Sequence, residues 1–311
     1  MNFLSLLFIV VTSVLVGWLY YRDRQRAIGM LQAQSQIAQT PRGPIEYASV
    51  GEGTPLLVVH GWGGGGPGEY NLFHFLAEHG FRVISVSRPG YLGTPLSVGV
   101  TMEEQADAFA ALLDALDIPR TAIVTGSGGA PASILFALRH PARCWGLVLV
   151  CALTKPDPIT GKTPAQKTLE KVFYNDFLMW VISKLLWRPL VEGGMGGLNE
   201  AIRQNPQKMD ELKKLITGLM LGSLSKDGLK NDMIQWERMP VYPLEQIQVP
   251  TLIFNSRNDQ SIPWHVAEFT ATIPHAKKVY FEDGGHPCFI VYDEVTHPET
   301  IAFLNAHKPT I

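Results

Sequence analysis

Thr121-Ala122-Ile123-Val124-Thr125-Gly126-Ser127-Gly128-Gly129-Ala130-Pro131 is the stretch that decides the fold. A short apolar run over 121–125 reads as a buried strand, four small residues make a turn, and a helical pattern follows to about His140. A serine between glycines, after a strand and before a helix, has the context of a nucleophile elbow. The turn is tight enough that the residues two before and two after the serine must be small. Thr125 takes the first of these places, where glycine is commoner. The helix that follows aims its N-terminal N–H groups at the same spot. Alone, the stretch is equally an ordinary Gly-Ser turn capping a helix. A dinucleotide loop does not fit: Pro131 stands in the last glycine place of G-x-G-x-x-G, and the motif is far from the first strand–helix unit.

Outward from this point the same rhythm repeats. Strands are predicted over 45–50, 55–60 and 81–87, the second being a continuous apolar run of the kind buried on both faces of a parallel sheet. Helices are expected over 71–79 and from Thr101, which forms a capping box with Glu104 and is followed by Phe109, Leu112, Leu113 and Leu116 at helical spacing. A strand over 145–150 completes a doubly wound α/β pattern. From about residue 153 to 243 the strand signal disappears, and helical stretches over 169–187 and 206–221 are joined by Gly- and Pro-rich segments, including 193–197. The alternation resumes at 250–254 and 277–281, with a final helix over 298–306. The middle therefore reads as a helical cap inserted into one sheet: core over 41–152 and 244–311, cap over 153–243.

Three further segments carry chemistry. His60-Gly61-Trp62-Gly63-Gly64 follows a buried strand and can present backbone N–H groups to a developing oxyanion. The donors expected are Trp62 N–H and Gly128 N–H, the latter directly after Ser127, while His60 reads as a brace for the loop. Asp259 lies just beyond the strand over 250–254, on the active edge of such a sheet. His286, after Gly284-Gly285, lies beyond the last strand. Each alone has a bland reading: a flexible glycine loop, a turn-capping Asp, a structural His. Asp283 stands too close to His286 in the chain to orient it, and Asp157, past the strand over 145–150, is a weaker rival.

The net charge of −2 gives no electrostatic case for nucleic acid, and 46% hydrophobic against 17% charged residues is a composition that builds a core. The nine histidines show no metal-ligand spacing with cysteines or carboxylates, so no metal and no cofactor are expected. Of three cysteines, Cys144 and Cys151 flank one strand and would lie roughly 23 Å apart at about 3.3 Å per residue, too far to pair. The cysteines read as small buried hydrophobes in a reducing compartment.

Residues 3–21 contain no charge and as a helix span roughly 28 Å, near the thickness of a bilayer's hydrocarbon core. Trp18, Tyr20 and Tyr21 end the stretch, and Arg22, Arg24 and Arg26 follow. A cleaved signal peptide would carry its charge before the apolar run, and the nearest small-x-small site here, Ala33-Gln34-Ser35, comes after the arginines. A transmembrane anchor over 1–26, a linker or juxtamembrane helix over 27–40, and a cytoplasmic domain on the arginine side are therefore expected.

Together His60-Gly61-Trp62-Gly63, Arg88-Pro89-Gly90-Tyr91, Gly126-Ser127-Gly128-Gly129, Arg139-His140-Pro141, Pro250-Thr251-Leu252-Ile253, Asp259 and Gly285-His286 resemble the α/β-hydrolase superfamily over about residues 45–303. The chain order Ser127, Asp259, His286, each on the loop after its own strand, is the order of that architecture. The resemblance implies an eight-stranded, mostly parallel sheet, a lid between strands six and seven, no cofactor, and a Ser127–His286–Asp259 triad. Its serine members are mostly carboxylesterases, lipases, thioesterases, carbon–carbon hydrolases and cofactor-free haloperoxidases. Members with an Asp nucleophile, the epoxide hydrolases and haloalkane dehalogenases, are argued against by Ser127. The activity expected is cleavage of an apolar, lipid-like ester or thioester. A perhydrolase or haloperoxidase, a carbon–carbon hydrolase and a non-catalytic binding member are the alternatives. Phe173, Tyr174, Phe177, Leu178, Trp180, Leu185, Leu186 and Trp187 are expected to form an acyl pocket or a lid facing the bilayer.

Overall fold

The computed structural model describes residues 2–67, 72–156, 171–196 and 198–309. Eight strands form one sheet in the order β1-β2-β4-β3-β5-β6-β7-β8: β1 Gln36–Thr40, β2 Gly43–Val50, β3 Thr54–Val59, β4 Phe81–Val86, β5 Thr121–Gly126, β6 Cys144–Val150, β7 Thr251–Ser256 and β8 Lys277–Phe281. β1 and β2 are an antiparallel hairpin, β2 runs antiparallel to β4, and all remaining neighbours are parallel. The registers Val59↔Thr125, Gly126↔Val150, Val150↔Phe254 and Ser256↔Phe281 bring the ends of five parallel strands to one edge. Every loop expected to carry chemistry leaves from that edge.

The strands hold their places because both faces are covered. Leu57, Val59 and Ile123 belong to one buried cluster, while Leu56, Val58, Ala122 and Val124 belong to the other, the two-residue alternation of a pleated strand. Helix α1 (Phe3–Gln34) precedes the sheet, and α2 (Met102–Ala115) and α3 (Ala130–Arg139) pack on the first cluster. The Thr101 hydroxyl accepts from Glu104 N–H at 3.2 Å, and the Glu104 carboxylate accepts from Thr101 N–H at 2.9 Å, completing the capping box.

The inserted cap lies between β6 and β7. Its described helices are α4 (Asp176–Val181), α5 (Trp187–Gly194), α6 (Glu200–Arg203), α7 (Pro206–Gly218) and α8 (Lys226–Arg238), with a π-type stretch, Ile182–Leu186, between α4 and α5. Helices α9 (Trp264–Thr270), α10 (Cys288–Val291) and α11 (Asp293–His307) complete the core.

Three sequence expectations need correcting. Of the two readings of 27–40, the juxtamembrane helix holds as far as Gln34, where α1 ends, and the linker does not: Gln36–Thr40 is the edge strand β1. Its Gln-rich composition hides it, because an edge strand buries only Ala38 fully and needs no apolar run. Of the helix expected over 71–79, Leu72 is helical, and the chain then tightens into a 3-10 turn, His74–His79, ended by Gly80 at φ 81°. The last helix begins five residues before Pro298, near enough to its N-terminus for the missing N–H to cost one bond rather than a break.

The cap is fastened to the core by a buried ion pair. The Arg88 guanidinium, fully buried, donates to both carboxylate oxygens of Asp232 on α8 at 2.8 and 2.5 Å, and Tyr91 donates to the same carboxylate at 2.6 Å. Removing one partner of such a pair strands an unpaired charge, which costs about 3–5 kcal/mol. Asp232→Ala should therefore lower unfolding stability by about that amount in urea titrations, and Asp232→Asn by less.

Candidate active site

Ser127 sits in the turn between β5 and α3 with φ 51°, in the left-handed region that a residue with a side chain seldom enters. Such a conformation costs about 1–3 kcal/mol and persists only where its surroundings over-determine it. Ser127 O accepts from Leu153 N–H at 3.0 Å. A side chain at Gly129 would meet the His60 carbonyl oxygen at 2.5 Å and Thr125 Oγ1 at 2.7 Å, so the second position after the serine has room for glycine alone. Thr125 is explained by the same crowding: its hydroxyl points to β3 and donates to Val59 O at 3.0 Å, crosslinking the two strands beneath the turn.

The loop after β3 passes directly beside the serine. A Cβ on Gly61 would lie 3.1 Å from Ser127 Cβ. His60 is fully buried and serves as the brace expected: Nδ1–H donates to Gly61 O at 2.7 Å, and Nε2 accepts from Arg88 N–H at 2.9 Å. Burial, with the Arg88 charge beside it, pushes its pKa well below the ordinary imidazole value, so the ring is neutral. Arg88 Nε also donates to His60 O at 2.9 Å, tying this loop to the pair with Asp232. Trp62, next in the chain, packs edge-on against Phe173 of the cap at 4.6 Å between ring centres. Gly128 lies in the first turn leading into α3, where N–H groups have no intrahelical carbonyl. The Trp236 ring of α8 rests on Gly128, at the place a side chain would occupy.

On the neighbouring loops, His286 Nδ1–H donates to Asp259 Oδ2 at 2.9 Å. Asp259 Oδ1 is held by Ser261 N–H at 2.7 Å and Ile262 N–H at 2.9 Å, which fixes the plane of the carboxylate. Asn258 Oδ1 accepts from Gly285 N–H at 2.8 Å, and His286 N–H donates to Met195 O of the cap at 2.6 Å. Gly196 packs between the Asp259 and His286 loops, close to Asn258 O and Gly285. Desolvation would lower the His286 pKa, but the Asp259 carboxylate and its hydrogen bond raise it well above the ordinary value. Asp283 is engaged elsewhere, by Tyr292 and Asn199, and Asp157 lies outside the described residues. No hydrogen bond joins Ser127 to His286 in this conformation; such contacts commonly tighten only when substrate binds.

Ser127 opens on a cavity of about 120 Å³ lined by Gly61, Trp62, Leu72, Phe73, Gly126, Val150 and Phe289. The aromatic and aliphatic walls thus come largely from the core. Of the cap residues expected to form an acyl pocket or a lid facing the bilayer, Phe173 reaches Trp62, whereas Phe177 and Trp180 pack on Tyr20 of α1, and Leu185 and Leu186 are exposed.

The fold also gathers residues that sequence spacing could not join. Cys151 and Cys288, buried thiols 137 positions apart, have their sulfurs 3.5 Å from each other. The Cys151, Asp259 and His286 ligand atoms all lie within 4.8 Å, a cluster the linear spacing of histidines does not disclose. Asp259 is already committed there to two backbone N–H groups and the imidazole. Asp232 and Trp236 on α8 likewise meet residues far off in the chain, Arg88 and Gly128, so no local spacing marks them.

The chain matches the model of the alpha/beta hydrolase fold family over residues 54–292 and belongs to that family. It is similar to a solved alpha/beta hydrolase fold protein from Nakamurella multipartita, with 30% identity, TM-score 0.71, and coverage of 88% of this chain and 100% of the other. It is 27% identical over 259 residues to the 2-hydroxy-6-oxo-6-phenylhexa-2,4-dienoate hydrolase of Comamonas testosteroni, covering 78% of this chain and 84% of that one. An uncharacterized hydrolase, YcgS of Bacillus subtilis, is 35% identical over 141 residues, 45% of this chain and 48% of its own length.

Asp259→Asn removes the carboxylate charge that, against burial, does most to favour the imidazolium, and leaves the smaller contribution of Cys151 in place. The His286 pKa, followed by NMR of the ring protons, should be lower in the variant than in the parent.

Proposed function

We propose that this protein is a serine hydrolase cleaving apolar carboxylic esters or thioesters, and that α1 tethers it to a membrane with the catalytic domain on the cytoplasmic side. The observation that carries the catalytic reading is Ser127 held at φ 51° beside the Gly61–Trp62 backbone, on the sheet edge that also carries the bonded Asp259–His286 pair. In this reading Ser127 Oγ attacks the acyl carbonyl as His286 Nε2 takes its proton, and Asp259 holds the imidazole tautomer and stabilises the imidazolium. The Gly128 and Trp62 N–H groups receive the oxyanion. His286 then protonates the leaving group, and water attacks the acyl-enzyme to release the acid. The cavity walls of Leu72, Phe73, Val150 and Phe289 favour an apolar acyl group.

The relative from Comamonas testosteroni supports a second reading, hydrolysis of a 2-hydroxy-6-oxo-dienoate by the same residues. The tether reading is supported by α1, which is long and apolar enough to cross a membrane, with a mean hydropathy of 2.3 in its most apolar window and none of that window buried. Arg22, Arg24 and Arg26 give its inner flank.

A fluorophosphonate probe should label the folded protein at Ser127, and Ser127→Ala should abolish labelling. The same variant should lower kcat for short-chain p-nitrophenyl esters by about a thousandfold or more with little change in Tm. Undiminished turnover would mean another nucleophile. Because His286 must be neutral to act as base, the acid limb of kcat/KM should lie above pH 6.5 and move to lower pH in Asp259→Asn. Product analysis with a 2-hydroxy-6-oxo-dienoate beside the esters separates the two readings.

A further inference from the structure

α1 is not a free tether; it is built into the cap. Asp176, at the start of α4, accepts from Arg24 Nε at 2.9 Å and also from Ser223 N–H and Oγ–H. Trp180 Nε1–H donates to Asp23 at 3.1 Å, and Lys184 pairs with the same carboxylate at 2.9 Å. Tyr20 stands edge-on to Phe177 and Trp180, with ring centres 5.2 and 5.8 Å apart. Val16, Leu19, Ala27, Ile28 and Leu31 pack on a buried patch of Trp180, Met220 and Leu221.

The pattern of these bonds gives an orientation. Asp176 and Lys184 are eight positions, about 12 Å, apart along their helical run. On α1 they meet Arg24 and Asp23, which are adjacent. The run through α4 and the π-type stretch therefore lies across α1, at the end of its charge-free residues where Tyr20 meets Phe177 and Trp180, rather than along it.

The flank of that run is apolar and uncovered. Leu185 is 73% exposed, Leu186 51%, Leu178 41% and Phe177 40%, with Lys184 and Arg188 among them. On α1 at the same level, Trp18 and Tyr21 are exposed as well. Lys184 is committed to Asp23, but apolar side chains beside the long cation Arg188, on a helix lying across a spanning segment, match the chemistry of the bilayer interface, where the leucines enter the acyl boundary and the guanidinium reaches the phosphates.

We propose that the face formed by Phe177, Leu178, Leu185 and Leu186 is a second membrane contact, seated in the headgroup layer of the bilayer that α1 crosses. The proposal rests on the tether reading above. It commits to lipid rather than to a second copy of the chain because the face is continuous, through the Arg24–Asp176 and Lys184–Asp23 pairs, with a helix whose apolar residues over 3–15 are uncovered. The same cap segment sends Phe173 onto Trp62, so the contact lies on the part of the cap that reaches the cavity wall.

The test uses the full chain in vesicles of phosphatidylcholine and phosphatidylglycerol, with an environment-sensitive fluorophore on Leu185→Cys, Val10→Cys or Lys278→Cys. The three native cysteines are buried and are spared under native labelling. Quenchers are carried on lipids either near the headgroup or deep in the acyl chain. The label at 185 should be blue-shifted and quenched most by the shallow quencher, the label at 10 by the deep one, and the label at 278, on β8, by neither. A label at 185 that behaves like the one at 278, while 10 is quenched, overturns the contact and leaves the tether standing. If 10 is also unquenched, the tether reading fails and the contact with it. A blue-shifted label at 185 that no lipid quencher reaches, and that reverts to the emission of the label at 278 on dilution, overturns the proposal in favour of a second copy of the chain.

Discussion

The arrangement of the site depends on the burial of one charge. Arg88 has no exposure to water, and Asp232 is the carboxylate that meets it. The guanidinium uses its remaining donors on the carbonyls of His60 and Gly61, so the loop beside Ser127 cannot move without breaking bonds to a buried cation. A hydrogen-bonded pair in low dielectric is costly to separate, because each partner would be left desolvated. Since Asp232 belongs to α8, the constraint passes from the core to the cap, and α8 in turn brings Trp236 onto Gly128. This end of the cap is thereby part of the site's scaffold.

How much of this was legible in the sequence follows from how local each cause is. The elbow around Ser127 could be read because its determinants lie within five residues: a buried strand, a turn that excludes side chains, and a helix start. The parallel sheet was legible for the same reason, as its interior strands are unbroken apolar runs. Asp259 and His286 carry little local signal, and only their order after successive strands marked them. β1 escaped because an edge strand one residue beyond a helix needs neither apolar residues nor turn glycines at its start. Arg88–Asp232 and Cys151–Cys288, separated by 144 and 137 residues, have no local signature at all.

The cap residues show how composition can mislead about purpose. Phe177, Trp180, Leu185 and Leu186 are apolar at helical spacing, which fits an acyl pocket, a packed core or an outward face equally well. In the fold they divide: Trp180 is buried against α1, while Leu185 projects outward. The cavity at Ser127 is finished instead by Leu72, Phe73 and Phe289, residues adjoining the strand-end loops. What faces Ser127 is settled by the sheet edge; what faces outward is settled by the helix that precedes it.

The junction between α1 and the sheet has a kinetic consequence. Gln34 ends the helix, Gln36 begins β1, and the one residue between them is pinned, its N–H to Leu31 O and its hydroxyl to Glu46. A long flexible leash would let a catalytic domain sweep a hemisphere and sample distant encounters, at a local concentration diluted by that volume. A stem without slack removes the sweep. The mouth of the cleft is held at one height and one tilt above whatever α1 is embedded in. Under the tethering proposed above, arrival becomes lateral: a molecule would diffuse to the base of the stem in the plane that holds it, and selection by depth would precede any selection by the pocket.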